Sequence, residues 1–230
     1  MKMYSNKTLT KVRVWDLPTR LFHWTLVAAI TGLAISGTLG GNAMVWHFRF
    51  GYGVLALLLF RILWGLVGGR WSRFGAFIYA PQSLIHYLKG KGKPEHSVGH
   101  NPIGALSVFA MLGFLVLQVA SGLLSDDEIA FSGPLTRFVA NATVSLATDY
   151  HANIGKWILL GLVLLHIGAI VVYLLRKHNL VGAMLHGDKE LVVKVPASRD
   201  DTASRTAALL LFMLCAGVAY WVSTLEAAAF

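Results

Sequence analysis

Five long apolar stretches, set apart by segments rich in charge, glycine and aromatic residues, give this chain its plan. Residues 21–39, 103–124, 157–175 and 206–225 each approach the ~20 residues that a hydrocarbon core of about 30 Å requires. Residues 44–68 qualify as well, although they carry Arg49 and Arg61. The pattern predicts an all-α integral membrane protein: a four-helix transmembrane bundle with a fifth, C-terminal, transmembrane helix. Asp16 and Pro18 suit the start of the first helix. The short link 40–43 makes the first two helices antiparallel neighbours. Residues 79–88 read as an amphipathic segment lying in the interface. Gly32 and Gly37 leave room for a neighbour or a flat ligand.

The composition agrees with a bilayer setting. Of 230 residues, 56% are hydrophobic and 13% charged, about half the soluble norm for charge. The first span follows a polar lead of 20 residues with no small-residue cleavage site, so it is expected to stay as a helix. The net charge of +9 is distributed as a topology signal. Lys and Arg number five in residues 1–20, five in 69–102 and six in 176–205, whereas the intervening loops 40–46 and 125–150 hold only Arg137. That asymmetry places the N-terminus and the basic loops in the cytoplasm and the C-terminus outside, and leaves nucleic acid without an argument. The single cysteine, Cys215, excludes a disulfide, an iron–sulfur centre and covalent c-type haem attachment. Thirty residues of loop are too few to fold alone, so residues 1–187 read as one membrane domain and 188–230 as a cytoplasmic linker with the extra helix.

Histidine placement carries the chemistry. His151 opens the fourth span and His166 lies fifteen residues deeper, roughly 22 Å along the axis and about 60° around it. His23 starts an outward-running helix, so it shares the inner level with His166. His47 starts an inward-running one and shares the outer level with His151. Two pairs, each joining different helices at one depth, suit bis-histidine ligation of a metal centre held in a bundle. The plainer alternative, ordinary polar residues near helix ends, fits any one of them, most easily His23 or His47. It fits His166, deep in an apolar run, least. Spacing alone leaves haem and zinc open, although no carboxylate or thiolate joins these positions. Arg20 and Arg61 fall at the inner level, Arg49 and Lys156 at the outer. Each could pair with an anionic group or snorkel to lipid phosphate. His86, His96, His178 and His186 read as solvated loop residues, and most Phe and Trp side chains as lipid-facing or belt anchors.

The runs VWDLPTRLFHW, RILWGLVGGRWSRF, GHNPIGALSV and HANIGKW, followed by LLH and NLVGAML, stand in this order from about residue 12 to 187. Together they resemble the bacterial cytochrome b561 family, which includes the b-type cytochrome subunits of nickel–iron hydrogenases and formate dehydrogenases. The resemblance implies a di-haem bundle with two haem b groups, whose iron ligands are His23, His47, His151 and His166. It further implies electron exchange between a periplasmic partner, a c-type cytochrome or a dehydrogenase or hydrogenase subunit, and membrane quinone. The family's quinone site, near the inner haem at the start of the third helix, points to His100 and Asn101, with Arg20 or Arg73 nearby. Asn101 is equally suited to capping a helix that begins at Pro102. The family spacing on the fourth helix is fourteen residues rather than the fifteen found here, and residues 206–225 depart from the four-helix pattern.

Two other functions compete. A self-sufficient superoxide:quinone oxidoreductase needs a basic outer entrance for its anionic substrate, yet the outer loop carries Asp126, Asp127, Glu128 and Asp149 against Arg137. That rim better suits a positive protein partner. A proton or metal transporter needs a polar path, and the third and fifth spans offer no ionisable group beyond Cys215 and Tyr220.

Overall fold

The computed structural model describes residues 9–192 and 194–225. The expectations for Lys2 and Lys7 in the basic lead, and for the terminal residues 226–230, lie outside the described residues. Among the described residues, five helices are long and apolar enough to cross a membrane. The chain begins with strand β1 (Thr10–Arg13), then helices α1 (Leu17–Leu39) and α2 (Met44–Val67). The interfacial segment forms α3 (Pro81–Leu88), followed by α4 (Pro102–Leu123). A rod of α5 (Asn141–Asp149), a π-helical turn (Tyr150–Gly155) and α6 (Lys156–Leu175) comes next. Helix α7 (Leu180–His186), strand β2 (Asp188–Leu191) and α8 (Thr202–Thr224) complete it.

The spans follow the apolar pattern, but the connections hold more structure than that pattern shows. The expected outer loop 125–150 is helical from Asn141 onward, so the fourth span enters the bundle as a rod longer than residues 157–175. The four-residue strands pair antiparallel, Thr10 with Leu191 and Arg13 with Asp188. A two-stranded ribbon is marginal by itself; this one is supported because Val12, Val14 and Leu191 bury against Trp15, Val98 and Ala183.

Capping fixes where the helices start. Asp16 accepts from the Thr19 amide at 2.8 Å, Asn101 from Gly104 at 2.8 Å and Asp201 from Ser204 at 2.8 Å, each quenching an orphan donor of the first turn. Asp16 does more. Fully buried, it also accepts from Ser72 Oγ at 2.8 Å, the Gly69 amide at 3.0 Å and Trp64 Nε1 at 3.3 Å. The start of α1 is thereby tied to the end of α2.

Helix α2 is the spine. It packs along α1 on one side and α8 on the other. Phe22, Leu57, Phe60 and Trp64 bury against Ala208 and Cys215, so these aromatics are core residues, while Trp24, Trp46, Phe138, Trp157 and Trp221 are exposed as expected of lipid-facing or belt positions. Helix α4 packs on α6 and the π-helical turn, and more sparingly on α2. Helix α6 makes no extensive contact with α1 or α2, and none of its residues is buried. A slot therefore separates α1/α2 from α6.

Candidate functional site

The histidines face one another across that slot. His23 on α1 lies opposite His166 on α6 with ring centres 6.4 Å apart and planes at 57°. His47 on α2 lies opposite His151 with ring centres 6.1 Å apart and planes at 88°. These are the pairs that depth alone matched.

The pairs are seated differently. His47 Nδ1 contacts the Leu33 carbonyl at 3.1 Å, and His151 Nδ1 contacts the Gln118 carbonyl at 2.9 Å. With the proton on Nδ1, each ring donates to a carbonyl and turns a bare Nε2 lone pair into the slot, the arrangement that orients metal-ligating histidines. Glycines let neighbouring helices approach: a Cβ at Gly37 would stand 3.1 Å from His47 Cε1, and one at Gly122 would stand 2.7 Å from His151 Cε1. Gly32 serves Phe50 instead. At the other pair, His23 Nδ1 is buried without a hydrogen-bond partner among the described residues.

The rod of α5, the π-helical turn and α6 carries His151, inside that turn, and His166, on α6, toward α1 and α2. Such a turn closes on i+5 and holds one residue more than an α-turn. Each residue there advances the chain by less than 100°, which narrows the 60° offset expected of fifteen straight α-helical steps.

Around the His23/His166 pair the polar residues converge. His100 is stacked between Trp15 at 4.7 Å and Phe77 at 4.5 Å, and its Nδ1 is buried without a partner among the described residues. Burial, reinforced by Arg61, Lys189 and His166, pushes His100 down to about 3, so it is neutral near pH 7. Arg61, 3% exposed, lies over the Phe74 ring at 4.6 Å with Nη1 unpartnered among the described residues. Asn101 has both ends engaged: its oxygen caps α4, and its amide donates to Tyr173 Oη at 2.6 Å. Tyr87 shares a hydroxyl interaction with Tyr173, and burial foremost raises it to about 12. Tyr79 donates to the His100 carbonyl at 2.8 Å.

Other predicted contacts lie elsewhere. Arg20 turns away to α7 and the linker, donating to the Leu185 carbonyl at 2.6 Å. Arg49 lies exposed over Trp46 at 4.9 Å and Lys156 exposed over Trp157 at 5.6 Å; Arg73 is exposed. Sequence reasoning passed over Gln118, Ser121 and Gly122, which share one face of α4 at i, i+3 and i+4. The available signal was an amide side chain deep in an otherwise apolar span.

Fold and site together define a helical membrane bundle that presents opposed histidines at two levels of one slot. A family model, prokaryotic cytochrome b561, matches residues 14–187, and the chain belongs to that family. Among its relatives, a probable Ni/Fe-hydrogenase B-type cytochrome subunit of Cupriavidus necator is 26% identical over 217 residues, spanning 80% of this chain and 88% of its own. A protein of the same description from Azotobacter vinelandii is 27% identical over 211 residues, 77% of this chain and 88% of its own. The probable Ni/Fe-hydrogenase 1 B-type cytochrome subunit of Escherichia coli is 25% identical over 188 residues, 67% and 80% respectively. A b-type cytochrome family implies haem b.

The donor set fits such a group. Two imidazoles sharing one metal between them, with metal–nitrogen bonds of about 2 Å, hold their ring centres roughly 6 Å apart. Among the described residues no group of three or more His, Cys, Asp or Glu side chains converges as a metal site. A centre at either level would therefore take two ligands from the protein and the remainder from its own macrocycle, as haem does.

Proposed function

We propose that this protein carries electrons across the membrane through two haem b groups. His47 and His151 would ligate the one nearer the periplasm, and His23 and His166 the one nearer the cytoplasm. The observation carrying this reading is the two pairs of opposed rings, with centres 6.1 and 6.4 Å apart, across the slot between α1/α2 and α6. Each bound haem would supply one-electron redox chemistry; the protein supplies position, dielectric and access.

The cytoplasmic pair adjoins the polar cluster where a quinone would exchange electrons and protons. Because both ends of Asn101 are occupied, hydrogen bonding to a quinone carbonyl falls to His100 Nδ1, with the Tyr173 hydroxyl beside it. Arg61, buried at the same level, is the cation suited to an anionic haem propionate. On the other side, Asp126, Glu128 and Asp149 line a depression of about 250 Å³ next to the His151 turn. An acidic rim there supports docking of a partner with a basic face. The relatives' descriptions favour a hydrogenase subunit as that partner over a c-type cytochrome. The positive-inside pattern supports the orientation, with the N-terminus cytoplasmic and the C-terminus periplasmic.

A pyridine haemochrome count with a reduced-minus-oxidised spectrum tests the reading. Two b haems per chain are expected, falling to one in His47→Ala and, separately, to one in His23→Ala. Two haems retained in both variants would overturn the assignment.

A further inference from the structure

Among the described residues, α4 grips His151 with a side chain and a carbonyl, whereas His23 Nδ1 has no hydrogen-bond partner. Gln118 holds His151 twice. Its carbonyl lies 2.9 Å from His151 Nδ1 and accepts from it in the Nδ1–H tautomer, and its side-chain Nε2 donates to the His151 main-chain carbonyl at 3.0 Å. Ser121 Oγ lies 3.4 Å from the same Nδ1, and Gly122 gives the ring its space. The π-helical turn completes the fit, since a Cβ at Gly155 would collide with Gln118 Oε1. The side chain of Gln118 thus reaches across to a backbone that departs from α-helical geometry at the residue presenting the imidazole.

We propose that Gln118 is a positioning residue for the periplasmic haem: its amide fixes the π-helical turn, and through it the angle and strength with which His151 meets the iron. This rests on the reading of His47 and His151 as ligands. A π-helical turn is rare and occurs frequently at functional sites, and it bends the helix in which it sits, so its geometry depends on what packs against it. If it relaxes, His151 rotates about the helix axis and its Nε2 leaves the line to His47. The carbonyl of Gln118 survives any substitution at this position, so the side-chain amide is the separable part of the grip.

Two variants on different helices test it. Gln118→Met keeps length and removes the donor. Gly155→Ala leaves Gln118 in place but pushes its amide off the His151 carbonyl. Both are compared with wild type by haem count, low-temperature EPR, separate midpoint potentials for the two haems, and haem release on dilution in detergent. In both variants the periplasmic haem should change its low-spin EPR signature and its midpoint, and dissociate on the order of 10-fold faster. The cytoplasmic haem, unchanged, reports that the bundle has folded. An unchanged EPR signature and potential for the periplasmic haem in both variants would overturn the proposal. So would an equal disturbance of both haems, which marks a general packing effect. His151→Ala is run alongside: if it retains two haems, the ligand reading itself has failed, whatever Gln118 does.

Discussion

A methyl group added at position 122 would strike the ring of His151. In Gly122→Ala the new Cβ meets His151 Cε1 at 2.7 Å, closer than real Cβ contacts come, so the ring must turn. The expected result is loss or weakened retention of one haem of two by pyridine haemochrome. Gly113→Ala on the same helix, where nothing lies within 4 Å, should leave both. The histidine pairing was legible in the sequence because depth in a membrane helix follows from counting residues, and His166 stands deep in an apolar run while His23, His47 and His151 stand near the ends of theirs. The seats of those rings were not. Gln118 carries no charge and so leaves no mark in a survey of ionisable groups, while the Leu33 and Gln118 carbonyls belong to every residue alike. Asn101 shows the opposite error: its type invited a ligand role, and its geometry spends both polar atoms on α4 and Tyr173.

At the scale of elements, α8 and the π-helical turn lie beyond the four-helix pattern. Helix α8 buries Ala208, Cys215 and Ala219, small residues that allow close approach to α2. Cys215→Phe should lever α8 away and cost about 1–3 kcal/mol by overpacking, read as a lower thermal midpoint of the purified protein in detergent. The haem content should match that of wild type, because the buried face of α8 packs on Phe22, Leu57, Phe60 and Trp64. Apolarity along residues 206–225 announced this helix but could not name its neighbour, since lipid and a helix face ask for the same residues. The π-helical turn was equally hidden. The spacing of fifteen between His151 and His166 is visible in the sequence, yet only the backbone shows that a π-helical turn occupies Tyr150–Gly155.

For the whole molecule, one carboxylate ties the end of the chain to its beginning. Asp200 contacts Arg13 at 3.1 Å and Arg205 at 3.0 Å and accepts from the Leu17 amide at 3.1 Å. Burial opposes its ionisation, but the hydrogen bonds from Arg205 and Leu17 and the charges of Arg205 and Arg13 outweigh it and hold the carboxyl below the usual range. Because the folded value is depressed, this stability is present above the unfolded carboxylate pKa of about 4. It is lost as pH falls through the lower folded value. Asp200→Asn should therefore destabilise the fold at pH 7 by about 2 kcal/mol, read as a lower thermal midpoint, and the gap from wild type should close as pH falls through the depressed Asp200 value. A constant gap across that range would show that the carboxylate charge is not what holds the linker.

The slot between α1/α2 and α6 also bears on biogenesis. On the proposed reading, a chain inserted without haem has α6 fastened chiefly to α4, since nothing bridges the histidine pairs across the slot. Such a chain is a half-built wall awaiting its mortar. Haem supply would then govern how much of the protein survives in the membrane: starved cells should degrade it as a nascent orphan, well before any partner subunit is missed.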